Sequence, residues 1–415
     1  MSPCVVLVDS YAPSKILADQ FRAAGVRLVR VQSTPEVPAV YRAPFDLSDY
    51  VDTIVHHGDL EVTAAAVAEH RPVAIVAGGE IGVELADALA ERLRLPGNGT
   101  TLSTARRDKY VMIETIRRAS LAAARQIRVD REEDLVRWHR SIGGRIVVKP
   151  LRSAGGNGVA FCDTPEESAA ALARVLAEEN IFSARNSGAV AQEYLRGTEY
   201  MVNTVSRDGM HRICEVWRTS RVQANGVLDL SDTVYLMPRS GPVQDRMASY
   251  VFQVLDALGI VHGPAHVEVK MTSRGPVIVE AGARICGANL PYYAQLAQGE
   301  SQLDWTTTAF LEPARFLAHH TDAPPRQLAC AFVGLISPVT GLLTGYRGLD
   351  TLQALESFHE FRFSVRPGER LHRTVDDLTY PMITVLLHES EETVLRDANT
   401  IRYLDGPQFY QLAPR

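Results

Sequence analysis

The chain opens on an apolar block, Cys4-Val5-Val6-Leu7-Val8, closed by Asp9, and a block of this length reads as a buried strand. A helical stretch follows around Ser14 to Ala24, then a second apolar strand from Val26 to Val31. Pro72 to Ala77 repeats the strand pattern and is succeeded by a helix from about Gly82 to Leu93. This alternation predicts a small parallel sheet with helices on its faces. Further on, Met112, Ile113 and Ile116 mark a helix that begins near Lys109, and Asp134 to His139 marks another. Arg145 to Pro150 is a buried-strand pattern, and Ala169, Leu172, Val175 and Leu176 recur at helical spacing within Pro165 to Glu179. Arg185 to Gly188 reads as an exposed turn, and Ala189 to Val202 as strand, short bend, strand. The polar segment Gln223 to Asp232 reads as a loop near substrate or a flexible hairpin. Two strands, Ala265 to Lys270 and Pro276 to Arg284, flank the turn Met271 to Gly275. His319 to Arg326 has the character of a linker, because Pro324-Pro325 stops regular structure. From Ala331 to Phe409 the chain is strand-rich, with alternation over Phe361 to Val365, a turn at Pro367-Gly368, an apolar run from Pro381 to Leu387 and a helix from about Glu391 to Arg402. No internal repeat or low-complexity segment interrupts this order.

The hairpin carries the first chemical signal. Side chains alternate between faces along a strand, so His266, Glu268 and Lys270 share one face, and Glu280 and Arg284 share one face of the partner. The opposite positions, Val267, Val269, Val277, Val279 and Ala281, suit a core-facing side. Two carboxylates on such a hairpin need a cation between them, and Mg²⁺ with retained waters is the simplest choice. A solvated hairpin whose charges face water is the alternative. His266 has the proton affinity of a general base, with His262 a weaker candidate; a structural strand histidine is the competing role.

Upstream, the strand Arg145 to Pro150 carries Lys149 and runs into Leu151-Arg152-Ser153-Ala154-Gly155-Gly156-Asn157-Gly158. Glycines let backbone N–H groups approach phosphate oxygens, and a lysine adds a point charge. The lysine precedes the glycines, so this is no Walker loop. Taken alone, a hairpin turn explains the segment as well. Lys109 alone is an ordinary exposed charge, whereas the bend at Glu193-Tyr194-Leu195 could offer backbone groups to an adenine and Glu199 could take ribose hydroxyls.

As an ordered set these residues resemble the ATP-grasp carboxylate–amine ligases. That family runs from an early lysine to a strand lysine, a glycine loop, a Glu-x-Leu hinge, a ribose acid, two metal carboxylates and an arginine. Lys109, Lys149, Ser153 to Gly158, Glu193 to Leu195, Glu199, Glu268, Glu280 and Arg284 follow that order. Ala77 to Asp87, Leu95 to Gly99, Arg107-Asp108-Lys109 and His262 to Glu268 are similar to the bacterial L-amino-acid ligases that make dipeptides, of the bacilysin-synthetase type. The resemblance implies an α/β and α+β chain with the ATP-grasp fold. Residues 1–104 would form an N-terminal pre-ATP-grasp α/β domain, 105–318 the catalytic grasp with a mobile lid over about 125–190, and 319–415 a C-terminal α+β domain. It also implies ATP and Mg²⁺, with Mn²⁺ as a substitute, amino acids as small-molecule partners, and leaves a homodimer open.

The implied roles follow residue by residue. Lys109, Lys149, Ser153, Gly155 and Gly156 hold phosphates, Glu193, Tyr194, Leu195 and Glu199 seat the nucleoside, Glu268 and Glu280 hold the metal, and Arg284 and His266 are catalytic. A first carboxylate attacks the γ-phosphoryl group, a second amine attacks the acyl phosphate, and Arg284 steadies the oxyanion. One departure stands out: the family often writes Glu-x-Asn-Pro-Arg, and here Gly282 occupies the Asn position. Ala288, four past the arginine, suggests room for a larger substrate side chain. Glu80 is a candidate contact for a substrate amine, or a helix N-terminal acid favoured by the dipole.

Composition narrows the rivals. Forty-three basic and 49 acidic residues leave a net charge of −6 with no basic block, which excludes a nucleic-acid binder. Five scattered cysteines without a CxxC pair argue against a disulfide framework or zinc site and fit a reducing cytosol. The N-terminus lacks the basic region of a signal peptide, and no apolar run approaches the ~20 residues that span a bilayer, so a cytoplasmic protein with no membrane partner is expected. A dehydrogenase built on the first strands lacks the glycine fingerprint after Asp9. A carboxylase or purine-type ligase acting on bicarbonate, formate or another carboxylate would share the ATP site. A non-catalytic nucleotide binder would not need Lys149, Glu268, Glu280 and Arg284 together.

Overall fold

The computed structural model describes residues 2–43, 46–318 and 328–414; the expected linker at His319 to Arg326 lies outside the described residues. Strands β1 (Cys4–Val8), β2 (Arg27–Gln32), β3 (Asp52–Val55) and β4 (Ala74–Ala77) form a parallel sheet in the order β3-β2-β1-β4. β1 is central and fully buried, which is why its five residues are all apolar. β3 is a partly exposed edge strand, and without an apolar block it left no sequence signal. Between β1 and β4 the strand order reverses, so their carboxyl ends diverge and open a crevice, the usual ligand position in such sheets. Asp9 emerges there with φ +56°. A Cβ on Gly79 would lie 2.7 Å from the Asp9 carbonyl oxygen, so only glycine lets the two strand ends approach.

A second sheet, antiparallel in the order β5-β8-β6-β7, joins β5 (Gln126–Val129), β6 (Ile146–Pro150), β7 (Ala160–Cys162) and β8 (Ala189–Glu193). The helices Glu132–Ile142 and Pro165–Ala177 cover it through Leu135, Leu172 and Val175. The second of these helices starts on a Thr164/Glu167 capping box with Pro165 in its first turn.

The remaining strands are β9 (Thr198–Arg207), β10 (Met210–Ala224), β11 (Val227–Met237), β12 (Gly263–Thr272), β13 (Gly275–Gly282), β14 (Ala329–Gly334), β15 (Gly341–Tyr346), β16 (Phe358–Phe363), β17 (Arg370–Leu371), β18 (Met382–His388) and β19 (Tyr410–Leu412). Eight of them form one antiparallel sheet, β13-β12-β9-β10-β11-β14-β18-β16, and β17-β15-β19 a smaller one. Strands β14, β18 and β16 thus continue the central sheet through the β11–β14 pairing. Gln223 to Asp232 is the tip of the β10–β11 hairpin, not a loop. Asn225 and Gly226 are both left-handed, at φ +56° and +84°, as a tight hairpin turn requires.

One apolar cluster unites β1 (Val6, Val8), the helix Lys109–Arg118 (Met112, Ile113, Ile116), the helix Pro242–Ala257 (Val251, Val254) and the β12–β13 hairpin (Val267, Val269, Ile278, Ala281). The N-terminal crevice and the charged hairpin are thereby held to one rigid base. No helix among the described residues is long and apolar enough to cross a membrane.

Candidate active site

A cleft enclosing about 1150 Å³, part of it open to solvent, runs between the β5–β8 sheet and the central sheet. Lys109, Lys149, Ser153, Gly155, Gly156, Glu193, Tyr194, Leu195, Glu199, Glu268 and Glu280 all line it, although they come from segments more than 170 residues apart (Lys109 to Glu280 spans 171). Glu268 and Glu280 are directly paired across β12 and β13. Val279, expected on the core face, instead lines the cleft: the register slips between Glu268 and Val269, and the bulge turns Val279 outward while Ile278 takes the core position. Lys109 Nζ donates to Glu280 Oε1 at 2.5 Å and to the Ser153 carbonyl at 3.0 Å, tying the early helix to both the hairpin and the glycine loop. Lys149 is buried. Its burial and the neighbouring Lys109 charge push its pKa down to about 8, against the pull of Glu280, Glu268 and Glu199.

Burial also disfavours ionised Glu268, but the His266 hydrogen bond and charge, with Arg221 and Lys109, outweigh it and hold the carboxyl low. Two carboxylates opposed across a hairpin, with only oxygen donors, suit a hard divalent cation such as Mg²⁺. Among the described residues no three His, Cys, Asp or Glu side chains converge, so water and phosphate oxygens would complete the shell.

The structure adds partners that sequence reasoning missed. Arg221 of β10 donates to Glu199 and to the Asp229 carbonyl at 3.0 Å. Lys270 donates to Asp229 at 3.2 Å and lies 5.1 Å from the centre of the Tyr194 ring. Asp376 and Asp377 enter the cleft from the loop before β18, and Leu378 sits over the glycine loop, where a Cβ on Gly155 would lie 3.2 Å from Leu378 Cδ2. Only Lys270 had a signal, its alternation with Glu268; the others are brought in by sheet pairing. Glu193's carboxylate turns to Arg125 at 2.8 Å and Arg274 at 3.3 Å.

Beyond the hairpin lies a second array, at the crevice of the N-terminal sheet. Arg284 Nε donates to Glu80 Oε2 at 2.9 Å, and Arg107 donates to Glu80 Oε1. Burial alone would raise Glu80, yet Arg107, Arg284 and Lys109 hold it down at about 2. Gly282 has a steric reason here: a Cβ would lie 3.0 Å from Glu80 Oε2 and 3.4 Å from Arg284. The space an asparagine side chain would need at this position is taken by the Glu80–Arg284 pair. Above the array Tyr41 stacks on Tyr11 at 4.6 Å and on Phe182 at 6.2 Å, and the Arg107 guanidinium lies 5.5 Å from the Phe182 ring.

His266 stands beside Glu268 on β12. Its Nδ1 lies 2.8 Å from Asn203 Oδ1 and its Nε2 3.4 Å from Glu268 Oε1. Burial lowers its proton affinity, but Cys286 and Glu268 more than offset this, so the ring is raised above the usual imidazole range.

Comparison with known proteins agrees with this geometry. The model of the ATP-grasp domain matches residues 142–291. Dapdiamide A synthase of Enterobacter agglomerans is 31% identical over 419 residues, covering 98% of this chain and 97% of that protein. The chain belongs to the ATP-grasp carboxylate–amine ligases. Alanine–anticapsin ligase of Bacillus subtilis is 24% identical over 52% of this chain and 49% of its own length. The crystal structure of an L-amino acid ligase from Bacillus licheniformis shares the fold, with a TM-score of 0.78 at 17% identity over 100% of this chain and 99% of that one. Within this ATP-dependent ligase, His262 lies away from the cleft, with Nε2 3.7 Å from Asp208, and burial lowers its proton affinity. Ala288 is exposed with φ +57°, and its carbonyl accepts from Arg362 at 2.5 Å.

Proposed function

We propose that this ligase joins the carboxylate of one amino acid to the amine of another, giving a dipeptide, ADP and phosphate through an acyl phosphate. The observation that carries the reading is the Arg107–Glu80–Arg284 array beside the metal hairpin. Two guanidiniums face one carboxylate, and Arg107 Nε is buried with no partner among the described residues. That surplus of positive charge suits an amino-acid carboxylate, while Glu80 suits an ammonium group.

Lys109, Lys149 and the glycine loop hold the phosphates of ATP, the Glu193–Leu195 backbone receives the adenine, and Glu199 the ribose. Glu268 and Glu280 would hold Mg²⁺, which when bound neutralises charge on the phosphates. The first carboxylate oxygen attacks the γ-phosphorus, and the bond to the β-phosphate oxygen breaks, releasing ADP. The second amine attacks the acyl carbon; the C–O bond to phosphate then breaks, and phosphate leaves with the electron pair. Arg284 steadies the oxyanion formed between these events. The proton that the amine sheds passes to the departing phosphate, and His266 holds Glu268 through Nε2. Phe182 and Tyr41, stacked over the array, keep water from the acyl phosphate.

The test is phosphate release from Mg-ATP with single and paired L-amino acids, with mass spectrometry of the product. A pair-dependent release and a mass equal to both substrates less water supports the reading. Hydroxylamine added with the first substrate alone should trap a hydroxamate. Release driven by bicarbonate or a nucleotide instead of amino acids would overturn it.

A further inference from the structure

A row of directly opposed residues crosses the β5–β8–β6–β7 sheet: Gln126 faces Gln192, Gln192 faces Val147, and Val147 faces Phe161. Residues opposed in antiparallel strands share one face of the sheet. Gln192, Val147 and Phe161 all line the cleft, and Phe161 meets Tyr194 edge-on at 5.9 Å. Gln192 is the polar member of that trio, and it is buried. Its orientation is decided behind it. Gln126 Nε2 donates to the Tyr110 carbonyl at 2.9 Å and to Glu114 Oε1 at 3.0 Å, both on the helix Lys109–Arg118. Both hydrogens of that amide nitrogen are thereby engaged, and turning the amide over would set its oxygen against two acceptors. Gln126 Oε1 therefore faces Gln192 and accepts from its Nε2 at 2.9 Å. Gln192 keeps Oε1 for another donor, and no group among the described residues supplies one.

We propose that Gln192 reads the edge of the nucleotide base, and that Gln126 is the positioning residue that fixes it as an acceptor. Gln192 Oε1 then takes a hydrogen bond from the amine at C6 of adenine and rejects a purine with a carbonyl there. Such a carbonyl would set two acceptors against each other, and Gln192 cannot present Nε2 instead without breaking its bond to Gln126. The inference rests on the base lying at the Glu193–Leu195 bend, as proposed above, which Gln192 immediately precedes. Gln126 does not line the cleft, so it acts only through Gln192.

Three triphosphates test it by titration calorimetry with Mg²⁺: ATP, purine riboside triphosphate with hydrogen at C6, and inosine triphosphate with a carbonyl there. The native protein should bind ATP about tenfold more tightly than purine riboside triphosphate, and on the order of 100-fold more tightly than inosine triphosphate. Gln192→Leu should bring the first of these ratios to about one. Gln126→Leu frees the Gln192 amide to turn, so inosine triphosphate should bind about tenfold more tightly while ATP changes less than about threefold. A merely structural role for Gln126 would weaken both nucleotides alike, and that result overturns the positioning role. Equal binding of ATP and purine riboside triphosphate by the native protein, or an unreduced preference in Gln192→Leu, overturns the reading of the base. Photolabelling with 8-azido-ATP and peptide mapping then tells which premise failed. Label on β6, β7 or β8 leaves the base at the bend and puts the failure in Gln192; label elsewhere removes the seat itself, and the proposal with it. Unfolding temperature confirms that each variant is folded. Should Gln126→Leu not fold, Gln192→Leu and the three nucleotides on the native protein still decide whether Gln192 reads the base.

Discussion

Lys149 offers the most direct measurement on the proposed nucleotide site. It is an ammonium group held in a buried position beside Lys109, and its pKa of about 8 stands well below the ordinary 10.5. That difference corresponds to about 3 kcal/mol of lost preference for the charged form. Triphosphate oxygens supply what the free protein lacks, so bound ATP should return the group toward its ordinary value. The sign then follows from linkage. Below pH 8 Lys149 is already charged and binding needs no proton. Above pH 8 the free protein holds it increasingly neutral, and each bound ATP must recruit a proton. ATP affinity should therefore fall up to about tenfold per pH unit above 8, reaching on the order of 300-fold if the complex restores the ordinary value fully. Isothermal titration in buffers of differing ionisation heat reads both quantities, affinity and protons taken up. About half a proton per ATP is expected at pH 8, and Lys149→Met should abolish the uptake above that pH. A flat affinity from pH 7 to 9.5, with no proton taken up by the native protein, would refute the reasoning.

Other expectations follow from the second array. Glu80 is held at about 2 in the folded protein against an ordinary 4.5, so its contribution to stability is complete above about pH 4.5 and is lost as pH falls toward 2. Glu80→Gln should cost about 3 kcal/mol at neutral pH, seen as a lower denaturant midpoint, and native-like unfolding would count against the pairing. Gly282→Asn, which writes in the family's more frequent residue, should raise the KM for amino acids at least about tenfold, because its Cβ would crowd Glu80 and Arg284. A tighter Mg²⁺ site with unchanged KM would contradict that account. Phe182→Ala removes the ring stacked on Tyr41 and Arg107, so more ATP should be hydrolysed per amide bond made. A phosphate-to-product ratio that stays at one would show that the seal lies elsewhere.

The amino-acid sequence alone determined the elements whose causes are local. The apolar block of β1, the capping of the helix Pro165–Ala177 and the period-two alternation of β12 and β13 each follow from neighbours a few residues away. The family was legible for a related reason: its motifs, from Lys109 to Arg284, stand in a set order along the chain, and that order survives without knowing where the chain turns. The bulge at Val279 was not legible, because nothing in β13 marks which residue the partner strand skips. Nor was the steric reason for Gly282, since Glu80 lies 204 residues from the arginine it joins. Arg221, Asp377 and the contact of Asn203 with His266 depended on tertiary structure in the same way. A buried polar group needs a partner but places no constraint on where along the chain that partner stands. Only the pairing of β9 with β10 and β12, and the closure of the N-terminal crevice onto the hairpin, decided which charges would meet.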